Sequence, residues 1–162
     1  MALFKPKEYS FTSKWIIDAP LNEVWHTIYE SEQWPQWWKG VLSVVETKKG
    51  DERGIGSVRI YKMRSPMLYT LSFDMLVTER IDYQLLRGEA SGELSGEGIW
   101  HFREEDNKTV IECCWNVHTT IWWMNAFSVL LRPAFEYNHT AVMRNGAVSL
   151  GKKLNATVQI VS

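Results

Sequence analysis

Cysteine is nearly missing from this chain of 162 residues: there are two, and they are adjacent. In a strand, Cys113 and Cys114 point to opposite faces, which builds neither a disulfide framework nor a zinc site, so two reduced thiols are expected. An excess of one charge is lacking too. Eighteen Lys and Arg stand against nineteen Asp and Glu, for a formal net charge of -1, and no basic cluster breaks the balance, so nucleic acid and other polyanions are poor partners. No stretch reaches the roughly 20 apolar residues of a membrane span. The opening Met1-Ala2-Leu3-Phe4-Lys5-Pro6 has no apolar run of signal-peptide length, and a cytoplasmic location is expected. Without a secretory route, the Asn-x-Thr triplets at Asn107, Asn138 and Asn155 carry no glycosylation argument. Also missing are a Gly-x-Ser-x-Gly elbow, a phosphate-cradling glycine loop before a helix, and a Cys/His cluster. These absences remove hydrolase, nucleotide-binding and iron–sulfur readings, and neither a cofactor nor a metal is expected.

What is present is an ordinary globular composition with one outlier. With 45% hydrophobic and 23% charged residues, the chain reads as a single domain over 1–162, large enough to bury a sizeable core. Nine tryptophans are more large flat side chains than such a core needs, and they favour apolar pockets and interfaces.

The order of periodic segments points to an α+β fold. Phe11, Ser13, Trp15 and Ile17 alternate with polar neighbours as a strand over 9–18. Pro20 suits a first helical position, with Asp18 or Asn22 as cap, and Val24, Trp25 and Ile28 share the helix's inner face. A second short helix follows around Trp34-Pro35-Gln36-Trp37-Trp38 and stops at Gly40. Six strand-like runs come next, at 41–48, 57–63, 68–79, 83–91, 92–103 and 109–119. Hairpin signals at Lys49-Gly50-Asp51 and Asp106-Asn107-Lys108 imply antiparallel pairing. Tyr69, Leu71, Phe73, Met75 and Val77 share one strand face; Leu94, Trp100 and Phe102 share another, and Ile111, Cys113, Trp115 and Val117 a third. These apolar faces need a cover, and only the C-terminal segment is long enough. Pro133 is expected to open that helix, which runs to about Leu154 and turns Phe135, His139, Val142, Met143, Gly146 and Leu150 inward. The apolar lead-in from Trp122 to Leu131 reads either as a short helix or as a lid-like loop. The expectation is a curved antiparallel sheet of about seven strands wrapped round a long C-terminal helix, with two short helices after the first strand.

That order resembles the START-like, or helix-grip, superfamily. Asp18-Ala19-Pro20 with Val24-Trp25, Trp34-Pro35 with Trp37-Trp38 and Gly40-Val41, and Gly54-Ile55-Gly56 are similar to its polyketide cyclase/dehydrase and lipid transport group. So are the ladder Gly92, Leu94, Gly96, Gly98, Trp100, Phe102 and the run Asn138-His139, Met143, Gly146. The likeness covers residues 10–154. It implies a sheet gripping the long helix around a hydrophobic cavity for a lipid, polyketide or similar apolar molecule. Members of the superfamily carry ligands, sense them, or cyclise and dehydrate polyketide chains.

Trp38, Tyr61, Tyr69, Phe73, Trp100, Trp115, Phe135, His139, Val142 and Met143 are the candidate cavity residues, with the mouth expected near Trp34 to Trp38 and Trp122 to Met124. The competing reading is that the same side chains fill the space themselves. His139 is a weak catalytic candidate, because a general base needs a tuned pKa and a partner; a buried, internally bonded imidazole is the plainer reading. Arg59 or Arg87 could anchor a ligand's acidic group, although both also suit a solvated edge. His101 and His118 lie on polar strand faces and His26 on a helix surface, so metal binding is not expected. The leading function is binding of a small apolar ligand. The alternatives are a polyketide cyclase/dehydratase-like enzyme and a protein-interaction module using the exposed aromatic lead-in. The sequence leaves oligomeric state open.

Overall fold

The alternating segment near the N-terminus forms β1 (Tyr9–Ile17) in the computed structural model, which describes residues 8–66 and 69–161. The start of the chain, and Leu68 at the head of an expected strand, lie outside those residues. After β1 come α1 (Leu21–Tyr29), a 3-10 turn (Ser31–Gln33) and α2 (Trp34–Trp37). Pro20 occupies the cap position rather than the first helical one, its carbonyl accepting the Val24 N–H at 3.1 Å. Neither Asp18 nor Asn22 caps this helix with its side chain; the Asp18 N–H donates instead to the Thr157 carbonyl at 2.9 Å. Val24, Trp25 and Ile28 are buried on the inner face, as their spacing requires.

Six further strands follow: β2 (Val41–Lys48), β3 (Val58–Arg64), β4 (Thr70–Ile81), β5 (Leu85–Gly92), β6 (Leu94–Glu105) and β7 (Lys108–Thr119). β6 and β7 join through a two-residue turn. Asp106 and Asn107 both sit at positive φ, 51° and 59°, and Glu105 pairs directly with Lys108. That turn matches strand twist and suits Asp and Asn, whose side chains tolerate the left-handed region. A strand not anticipated from the sequence, β8 (Val158–Val161), completes an eight-stranded antiparallel sheet in the order β2-β3-β4-β5-β6-β7-β1-β8.

The lead-in is helical. α3 (Trp122–Ala126) is followed almost at once by α4 (Ser128–Leu154), so Pro133 lies inside the long helix and does not open it. The bond Pro133 cannot make would have gone to the Val129 carbonyl one turn back, and Val129 is 74% exposed, so solvent can serve that group. A 2.8 Å ion pair from Arg132 to Glu136 spans the same turn. The helix ends where expected: Asn155 adopts the left-handed conformation at φ 49°, and the Ala156 N–H caps the Gly151 carbonyl. No helix among the described residues is long and apolar enough to cross a membrane.

The C-terminal half of α4 packs solidly: Met143, Ala147 and Leu150 join Trp15, Trp25, Ile111 and Phe102 in the core. Its N-terminal half and α3 show a different surface. Trp122, Val129 and Leu130 are each more than 70% exposed, and no charged residue occurs from Ile121 to Leu131.

Candidate functional site

Where the sheet curves away from the N-terminal half of α4, side chains leave a cavity of about 230 Å³. All ten candidate residues border it. β3 supplies Tyr61, β4 Phe73 with Tyr69 just before it, β6 Trp100 and β7 Trp115; Trp38 follows α2, and Phe135, His139, Val142 and Met143 come from α4. The strand residues converge because period-2 alternation turns each of them to the same face. The space is larger than the 150 Å³ engineered cavity lined by apolar side chains that stays dry and binds benzene, so it is not filled by its own walls.

Tryptophans form one end. Trp34 and Trp38 pack with ring centres 4.7 Å apart, and both contact Trp100. Their indole N–H groups are spent elsewhere: Trp34 donates to the Ile28 carbonyl at 3.1 Å and Trp38 to the Val142 carbonyl at 3.2 Å. Only apolar ring surface is therefore offered to the cavity. Both residues are buried, so they wall this end and do not stand exposed at a mouth. The other end lies under the α3–α4 junction, where buried Met124 borders the cavity and the Tyr9 hydroxyl reaches the Ser128 carbonyl at 3.5 Å. Trp122 and Trp123 stand exposed outside it.

Three polar side chains are joined on the cavity wall. Ser65 donates to Asn138 Oδ1 at 2.9 Å, and Asn138 Nδ2 donates to the Tyr69 hydroxyl at 3.3 Å. All three line the cavity, together with Arg64. Sequence reading quoted Asn138 in the family-like run but left it out of the cavity residues, although it lies one turn from both Ala134 and Val142 and is buried. It also overlooked Phe11, whose ring stacks on the His139 imidazole at 4.2 Å.

The His139 imidazole makes no hydrogen bond to another described residue, and burial pushes its pKa down to about 4. At neutral pH it is an uncharged ring able to donate one hydrogen bond and accept another. Between pH 6.5 and 4 the unfolded chain binds a proton at this position that the folded chain refuses, so stability falls as pH drops through that window. The full loss is on the order of 3 kcal/mol. His139→Phe should flatten the slope of unfolding free energy between pH 6.5 and 4 in urea titrations; an unchanged slope would assign it to other groups.

Tyr61 is buried with its hydroxyl donating to Ser31 at 2.7 Å, its ring stacked on Phe73, and its pKa raised by that burial. Cys113 also lines the cavity, and burial raises its pKa so that it stays a thiol. Arg59 faces inward beside Tyr61, paired with Glu46 at 3.3 Å, whereas the half-exposed Arg87 is held by Glu79 and Glu97 at 3.1 and 2.8 Å. His26 and His101 are exposed and His118 half-buried, and no group of three metal-binding side chains occurs among the described residues.

The family model described as polyketide cyclase / dehydrase and lipid transport matches residues 8–155. Solved structures share the fold at low sequence identity. A START superfamily protein of Mycobacterium smegmatis superposes with a TM-score of 0.70 at 11% identity, over 91% of this chain and 97% of that one. The di-domain ARO/CYC BexL from the BE-7585A biosynthetic pathway gives 0.66 at 21% identity, over 89% and 48%. Major latex-like protein 151 of Panax ginseng gives 0.60 at 10% identity, over 85% and 94%. The chain thus spans about half the length of the di-domain proteins, 48% and 51% of the two. No curated protein matches the sequence.

Proposed function

We propose, from the premise that this chain belongs to the polyketide cyclase/dehydrase and lipid transport family, that it binds a small apolar molecule in the cavity between its sheet and α4. One observation carries the reading: a space of about 230 Å³ walled mainly by aromatic and aliphatic side chains, with a hydrogen-bonded polar group of Ser65, Asn138 and Tyr69 on its wall. That is the usual make-up of a small-molecule site, in which apolar surface supplies affinity and a few polar atoms fix orientation. At about 25 cal/mol per Å², a ligand burying several hundred Å² of apolar surface gains several kcal/mol before ordering costs. The amide of Asn138 and the neutral ring of His139 would orient it.

A carrier or sensor fits better than a catalyst, because His139 is the sole imidazole at the cavity among the described residues and it is held far below neutrality. Mass spectrometry of a denaturing extract from freshly purified protein should find a co-purifying apolar molecule. Butylbenzene, used as a probe, should bind with one-to-one stoichiometry in titration calorimetry. A protein that releases nothing and gives no heat with butylbenzene does not use the cavity this way.

A further inference from the structure

The outer side of α3 and of the N-terminal half of α4 carries more bare apolar surface than a solitary domain needs. Trp122 is 77% exposed and Tyr137 63%, Trp123 and Phe127 stand about half exposed, and Val129 and Leu130 lie open beside them in sequence. Large aromatic side chains carry about 150–250 Å² each, so the exposed parts of these four amount to on the order of 500 Å². With Val129 and Leu130 added, the face approaches the roughly 800 Å² that each partner contributes to a stable complex. Charge narrows the choice of occupant. No charged residue occurs from Ile121 to Leu131, and Arg132, the first cation after that stretch, is neutralised by Glu136 at 2.8 Å. A lipid surface is bound most firmly where free cations flank the apolar side chains, and this face supplies none of them from Ile121 to Tyr137. A two-fold axis instead lays one patch against its own copy, which an uncharged patch tolerates without repulsion.

The spacing along α4 fits that symmetry. Leu130, Pro133 and Tyr137 recur at intervals of three and four, the stripe by which one helix lies lengthwise on another, and Arg132 and Glu136 run along its flank. We infer that this face binds a second copy of the chain, with the two α4 helices antiparallel about a two-fold axis between Pro133 and Ala134. That register sets Leu130 against the partner's Tyr137 and Arg132 beside the partner's Glu136, and each match occurs twice. It also joins two polar groups that a single copy leaves over. Pro133 has no N–H for the Val129 carbonyl, and the Tyr137 hydroxyl has no hydrogen-bond partner among the described residues. In the pair, the partner's Tyr137 donates to that carbonyl. The inference goes beyond the cavity reading and does not depend on it.

Sedimentation equilibrium of the wild-type chain across the micromolar range should show a shift from the single mass to twice that mass. Tyr137→Glu sets a charge against the partner's Leu130 on both sides of the axis and should weaken self-association about a hundredfold, with circular dichroism unchanged because the position is exposed. Arg132→Glu and Glu136→Arg, each alone, bring like charges together across the axis and should weaken it about tenfold. Mixed in equal amounts, those two variants should form a heterodimer as tight as the wild-type pair, because every charge then meets its opposite. A wild-type chain that stays single throughout, association indifferent to Tyr137→Glu, or charge variants that mixing does not rescue would overturn the inference. A single chain that floats with phosphatidylcholine vesicles would overturn it too, assigning the face to lipid.

Discussion

Val117→Trp should reduce butylbenzene binding at least a hundredfold. Val117 is buried in β7 with its side chain on the cavity wall, in register with Tyr9 on one side and Gly96 on the other. An indole there enters a space of about 230 Å³ that the native side chains leave open, so it competes with the ligand for the same volume. Because the added ring replaces a void, the folded state should survive with its melting temperature changed by only a few degrees. Calorimetric titration with circular dichroism on the same samples reads both quantities. Unchanged affinity in a folded variant would place the probe elsewhere, while collapse of the fold would mean that the cavity has no such room.

The second large effect concerns Gly146. A Cβ at this position would lie 2.4 Å from Cζ2 of Trp38, closer than non-bonded atoms approach. Trp38 cannot easily retreat: its N–H is bonded to the Val142 carbonyl, and Trp15, Trp34 and Trp100 surround its ring. Replacing glycine in a helix normally gains about 1 kcal/mol, but overpacking here costs about 1–3 and a displaced Trp38 loses its hydrogen bond, worth about 1 more. Gly146→Val, which adds a β-branched side chain, should therefore destabilise by about 1–3 kcal/mol in urea unfolding. A Gly146→Ala variant more stable than wild type would show that Trp38 has slack and that helix propensity rules the site.

Much of this arrangement was legible in the sequence, for reasons tied to periodicity. Phe73, Trp100 and Trp115 each belong to runs alternating every second residue, so their common facing follows once the strands pair. Phe135, His139 and Val142 share a helical stripe, which needs only the 100° rotation per residue. What escaped reading depends on partners far away in sequence. β8 is four residues long and exists because β1 offers an edge to pair with. Asn138 earns its place through Ser65 and Tyr69, and no local signal marks a polar residue whose partners lie about seventy positions upstream. Pro133 misled because a proline is compatible with a helix interior when the carbonyl it orphans faces water, and exposure at Val129 cannot be seen in the pattern. Trp34 and Trp38 were read as part of a mouth because tryptophans at a wall and at an entrance look alike until their burial is known.

The place of β1 sets the order in which the molecule can be made. It lies between β7 and β8, with Tyr9 opposite Val117 and Ile17 opposite Val158, so its neighbours on both sides arrive more than ninety residues later. On the ribosome, β2 to β7 can zip up by successive hairpins, while the first strand, carrying Trp15 and Ile17, waits without a partner. Such non-local pairing makes loop closure the slow step. The finished sheet should appear late and all at once, after the final strand has left the exit tunnel.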